Sequence, residues 1–451
     1  MIYYVLSCVL FYYPARYIYN NLIATRSMSY KFLNSFFEKN ITNESDEIVF
    51  QKIKKNMKKN EIFWPFMRKF KMSKDPLYVE IDQEKKICMS SYAYLNLQYD
   101  KNIIDYAYER SKEYSSGNIG PRMLSGNYEI YSELEDKVSK FFGYEETLVC
   151  SSGYMSCASA VIGLVEPGDV ILYDSKTHDS LMTGIKISGA RSFKFKHNCL
   201  KSLENYLILS SLIRYRKKLV ILESVYSMDG DVCNYAEMYK ICKKYNAIIL
   251  VDEAHGLGIL GETGRGIQEI FPETPKPDII CGTFSKTISS VGGYICSSKE
   301  KIELMHYSTP GNMFTAPISV FNAACAIKSF DKLLSGDLNN SIKKLNTNSE
   351  FLKTILISKG FNIGYTETCI IPLIFKSRNK SSTEIYNAMK NCIKLSNLML
   401  GDGYWLTPVI YPACPLSKPR IRMMSRIDLT TEIIVDFVTK LEKHAKELEL
   451  L

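Results

Sequence analysis

Five short apolar runs, each closed by small or polar residues, set what this chain can fold into: Leu148–Cys150, Val170–Tyr173, Leu219–Leu222, Ile248–Val251 and Ile279–Cys281. Segments with helical spacing separate most of them, Tyr235–Tyr245 among them. Uninterrupted apolar runs of this length are strands buried on both faces, and strands that alternate with helices build a mostly parallel sheet between helical layers. The expected fold class is therefore α/β. In such sheets chemistry collects beyond the carboxyl ends of the strands.

Three consecutive runs end in chemically capable residues. Leu219–Leu222 leads into Glu223, Ile248–Val251 into Asp252-Glu253-Ala254-His255, and Ile279–Cys281 into Gly282-Thr283-Phe284-Ser285-Lys286. An acid, an acid with an imidazole, and an amine thus reach one edge of the sheet. Asp-Glu-Ala-His also follows a strand in nucleic-acid helicases, but those require the phosphate loop GxxxxGK[ST]. Gly261 and Gly266 have the outer spacing of that loop, yet Ile267 stands where its lysine belongs. A nucleic-acid partner is not expected. The constellation suits pyridoxal 5′-phosphate instead. Burial keeps a lysine amine neutral and nucleophilic, so that Lys286 could hold the cofactor covalently. A carboxylate against the pyridine nitrogen keeps it protonated and the ring electron-accepting, a place that suits Asp252. The hydroxyls of Thr283 and Ser285, with backbone amides near Ser152-Gly153-Tyr154, suit the phosphate.

The 451 residues are enough for two or three packed units. Thirteen cysteines without a CxxC pair indicate reduced thiols rather than a disulfide framework. Five histidines scattered along the chain give no zinc-ligand spacing, and no metal is expected. Residues 1–74 carry thirteen Lys/Arg against five Asp/Glu, so this end accounts for +8 of the net +9. Met1 to Tyr13 is apolar except for Ser7. That stretch is short for a bilayer span of roughly 20 residues, and it reads as a retained anchor dipping into a membrane, with basic residues facing anionic lipid. The expected organisation is an anchor and basic linker over 1–75, an N-terminal subdomain over 76–125, a large cofactor-binding domain over 126–320 and a small C-terminal domain over 321–451.

Several motifs carry a family resemblance: Tyr226-Ser227-Met228-Asp229-Gly230, Asp252-Glu253-Ala254-His255-Gly256-Leu257-Gly258, Gly261-Glu262-Thr263-Gly264-Arg265-Gly266, Gly282–Lys286, and Gly126-Asn127 with Glu133-Leu134-Glu135. From about Leu77 to its end the chain resembles the α-oxoamine synthases, and within them the catalytic, lysine-bearing subunit of eukaryotic serine palmitoyltransferase. The resemblance implies the fold-type I architecture, a large domain with a mostly parallel sheet and a smaller α+β C-terminal domain. It implies that Lys286 carries the cofactor and takes the substrate α-proton, and that Asp252 pairs with the pyridine nitrogen. It further implies that His178 stacks on the ring and that His255 bonds the ring hydroxyl. Gly153, Tyr154, Thr283 and Ser285 would complete the cofactor site. Arg422, with Arg420 as its competitor, would take the amino-acid carboxylate, and Thr315 would reach the phosphate across a subunit interface. The implied substrates are serine and a long-chain acyl-CoA, and the implied product a 3-keto long-chain base, the first step of sphingolipid synthesis. The implied partner is a related subunit lacking the lysine, or a second copy. The implied location is the endoplasmic reticulum membrane, with the catalytic domain facing the cytoplasm.

The chain departs from the family pattern at four places. Ala93 stands where an asparagine usually precedes Tyr94-Leu95, and Tyr131 replaces a histidine. Cys157 replaces an asparagine, and Pro419–Arg426 keeps its arginines but loses the small residues that follow. Selection of serine over another amino acid is the point these changes touch. The competing expectations are a glycine-using synthase of the same family and a non-catalytic partner subunit.

Overall fold

The structure is a computed structural model that describes residues 68–451, apart from 115, 116, 214 and 378–380, together with positions 48, 51 and 55. The expected anchor over Met1 to Tyr13, and most of the basic linker, lie outside the described residues.

Three short strands open the described chain: β1 (Lys71–Met72), β2 (Tyr78–Ile81) and β3 (Glu84–Cys88). The turn between β2 and β3 is made by Asp82 and Gln83, both at positive φ. The central sheet has seven strands: β4 (Glu146–Cys150), β5 (Val170–Asp174), β6 (Arg191–Phe195), β7 (Lys218–Glu223), β8 (Ile248–Asp252), β9 (Ile279–Thr283) and β10 (Gly293–Ser297). Their order is β4-β10-β9-β8-β7-β5-β6. Strands β5 to β9 are parallel, whereas β10 runs antiparallel between β4 and β9.

All five apolar runs are strands of this sheet. The alternation along them explains why they lack polar positions. On β7, Leu219 and Ile221 enter one core while Val220 and Leu222 enter the other; on β8, Leu250 is separated in the same way from Ile249 and Val251. Helices cover both faces, so neither set meets water. One cover includes helices Glu129–Phe142 and Val320–Ser335, the other Gly153–Ile162 and Asp179–Ser188. Two strands were not anticipated. Edge strand β6 has four of its five side chains at least partly exposed, and β10 begins at Gly293.

The C-terminal part holds a three-stranded sheet ordered β11 (Ile370–Ile374), β14 (Arg420–Met424) and β13 (Pro408–Val409). Strand β12 (Tyr404–Trp405) instead pairs in parallel with β3, joining the first strands of the described chain to its C-terminal part. The backbone continues this junction, since Met424 N–H donates to the Met89 carbonyl. The segment Ser90–Leu95 follows directly and is carried toward the carboxyl edge of the large sheet.

Candidate active site

Strands β7, β8 and β9 end in register, with Glu223 opposite Asp252 and Asp252 opposite Cys281. The chain turns away beyond these ends, leaving a cavity of about 310 Å³. Lys286, Asp252, His255, His178, Thr283, Ser285, Gly153, Tyr154 and Arg422 all line it. The structure thus brings together nine residues that the sequence spreads over 270 positions. Thr315 is not among the lining residues of this chain, and Arg420 is buried elsewhere.

The floor is acidic. Asp252 is buried, and its Oδ1 accepts from the Ala254 N–H at 2.8 Å, while Oδ2 accepts from the Cys157 thiol at 3.3 Å. Glu223 is also buried, and its Oε1 accepts the His178 backbone N–H at 2.5 Å. Burial pushes the Glu223 carboxyl well above its ordinary range, and the neighbouring Asp252 adds to the push. Lys286 is half-buried above these acids. Burial lowers its amine to about 8, although Asp252 and Glu223 pull the other way. An amine in that range is neutral in about one molecule in ten at pH 7, far more often than an ordinary lysine, and attachment to an aldehyde and proton abstraction both use that neutral form.

The imidazoles are held by neighbours. His255 Nδ1 lies 3.1 Å from the Tyr94 hydroxyl inside the protein. Burial, with Lys286 and Arg422 nearby, takes its pKa well below the ordinary histidine value, so the ring is neutral. His178 caps helix Asp179–Ser188, and its Nδ1 lies 2.7 Å from Ser180 Oγ. Desolvation lowers its pKa as well, with Lys286 and Arg422 adding to the effect and Asp252 opposing it.

At the opposite end, Ser152 caps helix Gly153–Ile162 by accepting from the Met155 N–H. A helix N-terminus presents unpaired N–H groups to an anion. Gly153 is required there, because a Cβ would fall 2.4 Å from the Thr283 Cβ. Thr283 Oγ1 lies 2.8 Å from Ser285 Oγ, so two hydroxyls face the same corner. Tyr154 instead points its hydroxyl toward Thr183, at 2.6 Å, and Asp179, at 3.1 Å.

Arg420 and Arg422 are separated by their surroundings. Arg420 is buried, donating to the Met228 carbonyl at 2.8 Å and to Asp229 Oδ1 at 3.1 Å. Arg422 donates to the Ser227 carbonyl at 3.0 Å and to the Tyr92 hydroxyl, and it faces the cavity. Of the two, only Arg422 is available to a ligand. Tyr92 escaped sequence reasoning. Its ring lies 5.6 Å from Lys286 Nζ and 5.2 Å from the Arg422 guanidinium, and it touches both candidate catalytic groups. The available signal was its position beside Ala93, in an aromatic pair with Tyr94. Ala93 does not line the cavity. Neither does Tyr131, which is fully buried and donates to the Ile318 carbonyl at 2.9 Å.

A buried carboxylate aligned with a strand-end amine, a neutral imidazole, and a helix N-terminus too tight for a Cβ fit one group well: a phosphorylated pyridine aldehyde. The model of the family described as aminotransferase class I and II matches residues 84–433, and the chain belongs to this family of pyridoxal-phosphate enzymes. Its relatives place it more narrowly. It is 31% identical over 378 residues to a serine palmitoyltransferase of Sphingobacterium spiritivorum, covering 84% of this chain and 91% of that one. It is also 31% identical over 374 residues to an 8-amino-7-oxononanoate synthase of Petrotoga mobilis, covering 83% and 92%. Among solved structures, serine palmitoyltransferase from S. paucimobilis superposes with a TM-score of 0.81 at 26% identity, covering 90% of this chain and 98% of that one. The Sphingomonas wittichii serine palmitoyltransferase gives 0.80 at 28%, with the same coverage. The expected α-oxoamine synthase resemblance, fold-type I architecture and pyridoxal 5′-phosphate cofactor are borne out.

One expectation is corrected. The expected place in the endoplasmic reticulum membrane is not supported: the serine palmitoyltransferases it is similar to are those of bacteria, cells without an endoplasmic reticulum, and among the described residues no helix is long and apolar enough to cross a membrane. That compartment was implied only by the resemblance to the eukaryotic subunit, and a thirteen-residue apolar run does not by itself specify it.

Proposed function

We propose that this chain condenses L-serine with a long-chain acyl-CoA, releasing coenzyme A and carbon dioxide and yielding a 3-keto long-chain base. The observation that carries the reading is the convergence of Lys286, Asp252, His255, His178 and Arg422 on one cavity. When bound, pyridoxal 5′-phosphate supplies an electron-accepting ring that stabilises negative charge at the amino-acid α-carbon. The remaining work falls to side chains. Lys286 Nζ is the covalent attachment point and the base that removes the α-proton. Asp252 would hold a proton at the pyridine nitrogen, His178 would cover the ring face, and neutral His255 would hydrogen-bond at the ring hydroxyl. Gly153, Thr283 and Ser285 would take the phosphate. Arg422 orients the substrate carboxylate with its planar fork, and Tyr92 fixes the guanidinium. Serine palmitoyltransferases stand among its relatives beside 8-amino-7-oxononanoate synthases, and the two solved serine palmitoyltransferases superpose at TM-scores of 0.81 and 0.80, which supports serine and a long acyl chain.

A second reading, another acyl-CoA-condensing enzyme of the family, is favoured by the equally similar 8-amino-7-oxononanoate synthases and by Ala93 in place of asparagine. A non-catalytic subunit has no use for Lys286 and Asp252 set together. The active assembly is a pair, with a second copy or with a related subunit lacking the lysine; mass measurement of the purified protein separates the two. The decisive assay offers labelled serine, glycine and alanine with palmitoyl-CoA. Incorporation of serine into a long-chain ketone supports the proposal, and exclusive use of glycine or alanine overturns it.

A further inference from the structure

At the Asp252 carboxylate oxygen that Ala254 does not contact stand two thiols, Cys157 lining the cavity and Cys281 behind it. Cys157 lies on helix Gly153–Ile162 and Cys281 on β9, directly opposite Asp252 in the sheet register. Both are buried. The Cys281 thiol donates to Cys157 Sγ at 3.7 Å, and the Cys157 thiol donates to Asp252 Oδ2 at 3.3 Å. Cys157 also shares a hydrogen bond with Ser180, whose hydroxyl lies 2.7 Å from His178 Nδ1. A chain of side chains therefore runs from β9 through the helix to the two residues assigned to the ring.

We propose that Cys157 is a positioning residue for Asp252, with Cys281 fixing the rotamer of the Cys157 thiol, so that a two-thiol relay aims the carboxylate at the cofactor's ring nitrogen. This rests on the reading that the cavity holds pyridoxal 5′-phosphate on Asp252. A lone aspartate at a strand end can rotate about χ2, and its backbone contact restrains one oxygen only. The thiol restrains the other. A thiol is also a weak donor, so it orients the carboxylate while withdrawing little of its basicity, which the ring nitrogen needs. The relay works only with both sulfurs protonated. The hydrogen bond from Cys281 pulls the Cys157 pKa down, but burial and the Asp252 charge outweigh it and raise the value. Burial raises Cys281 far above its ordinary range. Such thiols are unreactive at neutral pH.

The same three ligand atoms lie within 4.8 Å of one another, which would also suit a soft cation. The two possibilities differ in metal content and in what a hydroxyl can replace. Cofactor-free protein is titrated with pyridoxal 5′-phosphate, and the absorbance of the bound cofactor is followed with pH, for wild type, Cys157→Ala, Cys157→Ser and Cys281→Ala. Loss of the contact in Cys157→Ala should weaken cofactor binding about fivefold, as expected for one net hydrogen bond, and should shift the pH midpoint of the visible band. Cys157→Ser, which keeps a donor, should restore both. Cys281→Ala should weaken binding about twofold, through the freed rotamer of Cys157. Unchanged binding and midpoint in Cys157→Ala overturn the relay, as does a serine variant as defective as the alanine one. Stoichiometric zinc in the purified protein does so too. If Cys157→Ala fails to fold, unchanged binding in Cys281→Ala overturns it. A wild-type protein with no visible band would instead defeat the cofactor reading of the site itself.

Discussion

Glu223 and Asp252 sit opposite each other at the ends of adjacent parallel strands, both buried, yet the structure treats them differently. Asp252 is met by an N–H and a thiol, whereas Glu223 accepts one backbone N–H from His178. Two like charges this close and this buried are costly, and Glu223 yields, its carboxyl pushed well above the ordinary range. Because its folded pKa is raised, the stability it contributes is present below the unfolded carboxylate pKa and is lost as pH rises through the folded value. Glu223→Gln mimics the neutral acid. The melting temperature of the variant relative to wild type should therefore rise steadily between pH 5 and 9, and a flat difference across that range would show that Glu223 ionises normally.

His197 behaves in the opposite sense. Its Nδ1 meets Asp174 at 2.9 Å and its Nε2 meets Asp231 at 2.6 Å. Burial opposes the charged ring, but the two carboxylates outweigh it and raise its pKa to about 9. A raised histidine contributes fully below the unfolded value near 6.5, and the contribution disappears as pH climbs through about 9. The shift corresponds to about 3 kcal/mol at most. His197→Gln should cost most of that at pH 6 and much less at pH 10, as read by denaturant unfolding at the two pH values.

Lys286→Ala should remove the visible band of the bound cofactor. It should lower turnover by at least about a thousandfold, since both attachment and proton abstraction depend on one amine. Turnover within tenfold of wild type would move the base to another residue.

Arg422 and Arg420 provide an internal control two residues apart on β14. Arg422→Lys loses the fork and should raise KM for the amino acid about tenfold, with kcat less affected. Tyr92→Phe should raise it by a smaller factor in the same direction. Arg420→Met removes the buried cation that pairs with Asp229 and should lower thermal stability rather than raise KM. A KM effect confined to Arg420 would reverse the assignment.

Gly153→Ala places a methyl group against Thr283 and should weaken cofactor binding, measured by the rate at which absorbance is lost on dilution. Thr283→Ser in the same chain frees part of that space and should recover some of the loss. No recovery would mean that the alanine disturbs the helix itself.

The strands of the large sheet were legible because each is buried on both faces, and that condition writes an uninterrupted apolar run such as Leu219–Leu222 into the sequence. Edge strand β6 was missed for the same reason: Arg191-Ser192-Phe193-Lys194-Phe195 is largely exposed and carries no such run. The strand-end residues were legible too. Parallel topology brings Glu223, Asp252 and Thr283 to one edge whatever the rest of the chain does, and Lys286 follows closely behind.

The sequence by itself determined a lysine and two acids at neighbouring strand ends and the sheet that presents them, since these depend on local pattern and strand direction. The tertiary structure decided which arginine is free, because Arg420 and Arg422 differ only in their long-range partners, Asp229 for one and Tyr92 for the other. It also placed Tyr92 beside Lys286, buried Tyr131 away from the cavity and set Cys157 against Asp252. Each of these contacts joins segments from ninety to more than three hundred positions apart in the chain. Contacts of that span are fixed by how helices and sheets pack, for which no local periodicity leaves a trace.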